Sequence, residues 1–372
     1  MNHHHEVSFW ERESILAPYD CVIIGAGLTG LHIALQFREK FPGSRIAMLE
    51  RNPFSSGAST RNAGFACFGN VSEIMDDLKS MSEEDTYQLM DRRYRGLIKT
   101  KEIFGDQSIG YEAKGSHEIL SHKVHQTLSE YIPEANRNMK KYLGLDEVFR
   151  YSKQDFGFRN ATGSIANAYE GQLHTGRLYQ ALRGKVQNNC IELLGGCDVA
   201  YWERSGSAFD VVLQNGISIR AGMLILATNA FTPALLPGED IRPARGQVIV
   251  TERIPGLSLN GIFHFDEGYY YWRDLDGRIL LGGARNLDVT GETTEVFGSH
   301  EAIRAHLKDF LTREILQRPV NIEMEWSGIM AMGRQKKPII REVQPQVYLA
   351  ARMGGMGVAL SAVVAEELVE MV

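Results

Sequence analysis

Gly25-Ala26-Gly27-Leu28-Thr29-Gly30 follows directly on the apolar run from Tyr19 to Ile24, and Glu50 stands twenty residues beyond Gly30. This spacing suits the pyrophosphate of a dinucleotide. Gly25 permits a tight turn off a strand, Gly27 lets backbone approach the pyrophosphate, and Gly30 permits close helix-to-strand packing. The N-terminus of the helix that follows, next to Leu28 and Thr29, would offer unpaired N–H groups to phosphate. The Glu50 carboxylate can accept hydrogen bonds from a ribose diol and would repel a 2′-phosphate, so FAD or NAD fits and NADP does not. Glycines recur in loops for backbone reasons alone, and the elements on either side are what make the fingerprint specific.

Two further stretches separate FAD from NAD. Gly57-Ala58-Ser59-Thr60-Arg61-Asn62-Ala63-Gly64 is rich in small residues and hydroxyls, as expected where backbone passes tightly along a phosphate and a ring system. Near the end of the chain, a strand from Val347 to Ala351 leads into Gly354-Gly355-Met356-Gly357 and a closing helix from Val358. An NAD site needs no second element of this kind.

The elements that must hold these residues are legible from apolar periodicity. Tyr19 to Ile24 reads as a buried strand, Leu31 to Lys40 as a helix ended by Pro42-Gly43, and Arg45 to Leu49 as a parallel strand. From Ser72 to Gly105 the pattern is helical and charge-rich, as if an inserted domain begins there. Leu178 to Asn188 is amphipathic, Asn215-Gly216 marks a hairpin between Phe209 to Leu213 and Ile217 to Ile219, and Ala221 to Ala227 is again an apolar strand. Short alternating strands fill Gln247 to Gly283, which predicts an antiparallel sheet, and Ser299 to Leu316 returns to helix. With no linker and no repeat, the domains are expected to be discontinuous: 15–75, 155–238 and 325–372 for FAD, and 76–154 with 239–324 for substrate. The expected class is therefore α/β with an α+β insert: a doubly wound parallel sheet for the cofactor and an interwoven domain on an antiparallel sheet.

The 372 residues are 44% hydrophobic and 23% charged, with a net charge of -6, which leaves no basic surface for nucleic acid. Cys21, Cys67, Cys190 and Cys197 form no CxxC pair, so a reducing, cytoplasmic setting is expected. Charges at Glu6, Glu11, Arg12 and Glu13 interrupt the first twenty residues, so no secretory signal is expected. No apolar run reaches the ~18 residues a transmembrane helix needs. His3, His4 and His5 are taken as solvated chain, and no cysteine and histidine spacing suggests a metal.

Together the Gly25 to Gly30 fingerprint, the Gly57 to Gly64 stretch, Arg245-Gly246-Gln247 and the Gly354 to Gly357 turn resemble the D-amino-acid oxidase-like superfamily of FAD-dependent oxidoreductases. Within it the chain looks most like the glycine/sarcosine oxidase and gamma-glutamylputrescine oxidase branch. The resemblance spans nearly the whole chain and implies a doubly wound FAD domain with an antiparallel sheet over the flavin. It implies that Glu50 and Arg51 hold the adenosine end, that Ser59, Thr60, Asn62, Ala63 and Gly64 line pyrophosphate and flavin, and that Val199 pairs with adenine. Ala227, Thr228 and Asn229 would pass beside the cofactor. Gly354, Gly355, Met356, Gly357, Val358 and Ala359 would meet the flavin N1–C2=O edge, where a helix N-terminus stabilises the charge of the reduced ring.

The resemblance implies oxidation of a small amine or amino acid at the carbon beside nitrogen, passing electrons to oxygen or another acceptor. The amine must bind neutral, and aromatic walls favour that by desolvation, which lowers an amine pKa by up to roughly 3–5 units at full burial. Tyr269, Tyr270, Tyr271 and Trp272 are the candidates for such walls, against plain core or edge packing, with Phe68 and Met330 as lesser ones; Arg273 and Arg245 are either carboxylate anchors or partners of structural acids. Tyr270, Tyr271, Arg273 and Met330 form the expected catalytic set. Where amino-acid oxidases of this group place an arginine the chain reads Gly328-Ile329-Met330, and where sarcosine oxidase-like members place a lysine it reads Arg278-Ile279-Leu280-Leu281. These departures favour an amine or a distally charged substrate and leave a dehydrogenase open. No cysteine lies near Met330, so FAD is expected to be non-covalent. Oxidation of a hydroxy acid or polyol phosphate, or flavin binding without turnover, are the alternative readings.

Overall fold

A computed structural model of the chain describes residues 6–372, so the His3 to His5 tract lies outside the described residues. The described residues divide into two compact units, one comprising 6–60, Gly176–Pro243 and Met330–Val372, the other Arg61–Thr175 and Ala244–Ile329. Two boundaries fall well away from the expected positions near 75 and 155. The reason is local pairing: Phe65–Ala66 runs antiparallel to Gly171–Gln172, and the Asn62 Oδ1 accepts the Thr175 hydroxyl at 2.8 Å, which binds both flanking stretches into the second unit.

The first unit is built on a mainly parallel sheet whose strands run in the order Ile339–Gln344, Val347–Ala351, Ser218–Leu226, Tyr19–Ile24, Ile46–Glu50, Glu192–Gly195. Only the Ile339–Gln344 edge and the hairpin partners of Ser218–Leu226 are antiparallel. Cys21, Val22, Ile23, Ala47 and Met48 are fully buried, which is why these strands read as unbroken apolar runs. Helix Leu28–Lys40 crosses over between the first two parallel strands and packs against the closing helix Gly357–Met371, where the Gln36 amide donates to the Ala362 carbonyl at 3.1 Å. The expected short strands from Ile217 and from Ala221 are one nine-residue strand, Ser218–Leu226, since nothing between them turns the chain.

The second unit carries a mixed, mostly antiparallel sheet in the order Ile322–Met332, Arg242–Thr251, Ile279–Gly283, Tyr270–Asp274, Ile262–Phe265, Ser116–Ser121, Ala161–Asn167, Phe149–Ser152. Ile262–Phe265 and Ser116–Ser121 pair in parallel. One face packs a core of Phe158, Phe263, Trp272 and Leu281 against helix Glu301–Phe310. The expected charge-rich helical segment resolves into Val71–Asp77 and Glu83–Phe104. The architecture is the α/β class with an α+β insert that the sequence predicts.

Candidate functional site

In the first unit the fingerprint stands at the carboxyl ends of the central parallel strands, where ligands of open α/β sheets collect. Gly25 has φ 106°. A Cβ on Gly30 would lie 2.0 Å from the Gly25 carbonyl oxygen, and one on Gly25 would lie 2.7 Å from that of Ala227. Only glycine permits turn, helix and neighbouring strand to close this tightly. Gly27 caps the helix without a side chain, and the Leu28 N–H donates to the Ser59 hydroxyl at 2.8 Å, which brings the Ser59 segment over the helix N-terminus at Leu28 and Thr29. Glu50 ends the second strand, half-buried, with its carboxylate facing the Ala26 and Asn52 amides at 3.3 Å. Arg51 lies over the Phe231 ring at 4.2 Å, and the Thr60 hydroxyl donates to the Ser55 carbonyl. Val199 is buried at the start of its strand, opposite Leu213.

A second loop cluster stands at the same end. Asn229, in the left-handed region at φ 48°, accepts the amides of Arg352 and Met353 on its Oδ1 at 3.1 and 3.3 Å. That bond joins the Ala227 to Asn229 segment to the C-terminal turn, while Thr228 and Thr232 share a hydroxyl contact of 3.0 Å. Gly354 and Gly355 turn with φ 57° and 82° into helix Gly357–Met371, whose N-cap Met356 provides no capping side chain. The first-turn amides at Gly357, Val358 and Ala359 sit at the positive end of a fifteen-residue helix dipole. A Cβ on Gly355 would meet the Met330 sulfur at 3.3 Å, so Met330 lies beside this turn. Glycine-lined turns without side chains, an uncapped helix N-terminus and an acid after the second strand fit the adenosine diphosphate portion of FAD.

In the second unit, Asn62 accepts the Gly64 amide at 2.9 Å, and Gly64 turns with φ 71° against Leu173 and Arg273. Ala63 is buried with Val248, Val250 and Leu280, against which Phe65, Tyr271 and Trp326 pack. Sheet register divides the aromatic run. Tyr271 stands opposite His264 and Gly282, and its ring fills the space a Gly282 side chain would take. Tyr270 and Trp272 belong to the other face, with Phe310 and His306, because alternate residues of a strand point oppositely. Tyr270 therefore leaves the expected catalytic set, and Tyr271 keeps Arg273 as its face mate. Phe68 is core, packed edge-on to Tyr94.

The two candidate anchors differ in their partners. Arg245 makes a bidentate pair with the fully buried Glu292 at 3.0 and 3.1 Å, and Gln247 and Arg304 extend the network. The Arg245-Gly246-Gln247 motif is thus structural. Arg245→Met should destabilise the fold by about 3–5 kcal/mol in urea unfolding, the usual cost of stranding a buried charge. Arg273 is 5% exposed, and among the described residues no carboxylate lies within ion-pair distance and its Nε has no acceptor. Burial lowers its pKa to about 10, which leaves it charged at neutral pH. Burial also pushes Tyr271 up to about 12 and His264 down to about 4, so both are neutral. His264 went unnoticed in the sequence, although its place in Ile262-Phe263-His264-Phe265 puts it on the Tyr271 face; it meets the Phe65 ring at 5.2 Å.

Two buried acids also lay outside the sequence reading. Glu118 accepts the Val71 and Ser72 amides, and Glu170 those of Phe68 and Gly69, so together they hold the segment that follows Phe65. Burial raises each to about 7, against the opposing effect of these hydrogen bonds. Since the folded state then keeps protons that the unfolded state releases near pH 4.5, their contribution to stability is full below that pH and is lost as pH rises to 7. The urea midpoint should fall between pH 5 and pH 8, and Glu118→Gln should flatten that slope.

Cys21 and Cys67 are buried, and all four cysteines are free. Among the described residues no group of three His, Cys, Asp or Glu could hold a metal, and no helix is long and apolar enough to cross a membrane. In comparisons with known proteins, the chain is 24% identical to the protein named "Probable oxidoreductase OrdL" of Haemophilus influenzae, over 92% of this chain and 80% of that one. Its fold is similar to glycine oxidase from Geobacillus kaustophilus at TM-score 0.76 and 18% identity, with 95% of each chain covered. It is also similar to iminodiacetate oxidase from Chelativorans at TM-score 0.75 and 17% identity, with 94% of each covered. Residues 20–371 match the family described as FAD dependent oxidoreductase, so this chain is an FAD-dependent oxidoreductase of that family.

Proposed function

We propose that this chain oxidises a small amino acid at the carbon beside its nitrogen, with the substrate carboxylate held by Arg273. The observation that carries the reading is the buried Arg273 guanidinium, whose Nε has no acceptor and which makes no ion pair among the described residues, Glu112 and Asp274 acting on it only at longer range. Buried charges are normally paired, and a planar guanidinium suits a carboxylate in bidentate geometry. Arg273 would take the task that related amino-acid oxidases give to an arginine at the position of Ile329. Glycine oxidase and iminodiacetate oxidase, whose folds this chain shares, are named for substrates with a carboxylate beside an amine.

In this reading the first unit is the FAD-binding domain and the second the substrate domain. Bound FAD supplies the hydride acceptor. Tyr271 and His264, both neutral, offer the substrate a face that brings no charge to its nitrogen, and their burial disfavours an ammonium. The amine then gives up its proton to solvent on entry, and its lone pair is free to assist cleavage of the adjacent C–H bond. Arg273 fixes the other end, so the reacting carbon is presented in one orientation. The amides at the start of helix Gly357–Met371 would hold the electron-accepting edge of the cofactor, where the helix dipole would favour negative charge.

FAD is proposed to be non-covalent, because Cys67 is a packed thiol whose pKa burial raises well above its ordinary value. The free cysteines support a reducing compartment. On the Tyr271 face the strand Ile279–Gly283 presents Leu280 where oxidases of the resembling branch carry a lysine for oxygen, which supports an acceptor other than oxygen. Anaerobic titration of the FAD-loaded protein tests all of this by following the visible flavin band. Bleaching by glycine, sarcosine or larger amino acids, much slower bleaching by the matching amines without a carboxylate, and slow recovery in air are expected. Bleaching by lactate or glycerol 3-phosphate instead would select the hydroxy-acid reading, and a band that nothing bleaches would leave a flavin-binding protein without turnover.

A further inference from the structure

Arg352 follows strand Val347–Ala351 and begins the turn into helix Gly357–Met371, and its backbone is left-handed at φ 63°. At Gly354 and Gly355, with φ 57° and 82°, the chain meets the same demand with glycine. A long side chain held in this region is strained, and such strain persists only where surrounding contacts impose it.

Those contacts are specific. Arg352 is 7% exposed; its Nε donates to the Lys337 carbonyl at 2.9 Å, and Nη1 donates to the carbonyl and the Oδ2 of Asp240 at 3.1 and 2.8 Å. Its stem lies against Gly333, where an added Cβ would come within 2.5 Å of the Arg352 Cδ. The bond from its own N–H to Asn229 adds a third distant segment, and every partner belongs to the first unit. Glycine would suit this backbone and make none of the side-chain bonds. The charge is the lesser contribution, because Asp240 neutralises it at close range and also receives the exposed Arg334 at 3.4 Å.

Beyond Arg352, the Gly354 N–H donates to the Ala331 carbonyl at 3.1 Å, and the helix then opens with no capping side chain. Two successive glycines give the turn little stiffness of its own, so its path depends on how its first residue is fixed. We propose that Arg352 is a positioning residue for the cofactor: its side chain braces the Gly354 to Gly357 turn so that the helix amides stay aimed at the electron-accepting edge of the flavin. The inference rests on the reading that this edge meets the turn, and not on the identity of the substrate.

The midpoint potential of the bound FAD, measured by anaerobic reduction beside a reference dye, tests it. Arg352→Gly keeps the left-handed backbone and removes the brace. Reduced FAD should then lose about fivefold in affinity relative to oxidised FAD, the worth of charge at a helix N-terminus, which lowers the potential by about 20 mV. Arg352→Lys keeps the charge without the fork and should fall as far, and it decides the matter if Arg352→Gly does not hold FAD. Arg334→Ala, which takes a cation from Asp240 and leaves the bonds of Arg352 in place, should not move the potential. Met356→Asp, which sets a carboxylate at the N-cap itself, should lower it by charge alone. A fall in Met356→Asp with none in Arg352→Gly would overturn the positioning role by itself. No fall in either would overturn it together with the flavin placement on which it rests, and an unchanged potential in Arg352→Lys would overturn bracing in favour of charge.

Discussion

Arg273→Met should lower kcat/KM for an amino acid by a factor on the order of 10² to 10³, while the reaction of an amine lacking the carboxylate changes little. The size follows from the ~3–5 kcal/mol associated with removing one partner of a buried, hydrogen-bonded charge pair, at about 1.4 kcal/mol per decade of rate. The guanidinium is 5% exposed, so water would replace little of what the substrate loses. Arg273→Lys should recover only part of the activity, because an ammonium keeps the charge but not the planar fork. Methionine conserves much of the stem volume, and steady-state kinetics on both substrate types separates lost anchoring from lost packing. An equal loss for both types would reassign Arg273 to a structural role.

Gly30→Ala should leave less than about a tenth of the FAD bound after desalting, read from the visible absorbance per protein. The added methyl would lie 2.0 Å from the Gly25 carbonyl oxygen and 3.2 Å from its carbon, so backbone must move where Gly25 turns at φ 106°. Overpacking of this kind costs typically ~1–3 kcal/mol, and here the displaced atoms belong to the loop whose amides would meet the pyrophosphate. Gly43→Ala is the matched control, since nothing lies within 4 Å of its added methyl. Full FAD content in Gly30→Ala would show that helix and loop can separate without harm, and the role assigned to this close packing would fail.

Features carried by local chemistry were legible in the linear chain. The fingerprint from Gly25 to Gly30, the acid at Glu50 and the closing Gly354 to Gly357 turn each depend on a few adjacent residues adopting a short-range geometry, and their flanking strands are buried on both faces. The Asn215-Gly216 hairpin was read for the same reason, and it joins Ala208–Leu213 to Ser218–Leu226. Segment boundaries at 60 and 175 were not, because the two-residue pairing of Phe65–Ala66 with Gly171–Gln172 is too short to leave a periodic signal.

The substrate side divides along the same line. That neighbours on a strand face opposite ways follows from period-two geometry, but which of Tyr270 and Tyr271 joins the Arg273 face depends on register with Ile262–Phe265 and Ile279–Gly283. Arg245 and Arg273 are equivalent as letters. One is neutralised by Glu292, distant in sequence, and the other makes no ion pair among the described residues, with Glu112 and Asp274 acting on it only at longer range. Backbone turns and helix ends are short-range properties, so composition and spacing specify the cofactor cradle; the partner of a buried charge and the face of a strand arise only when segments far apart in the chain are packed together.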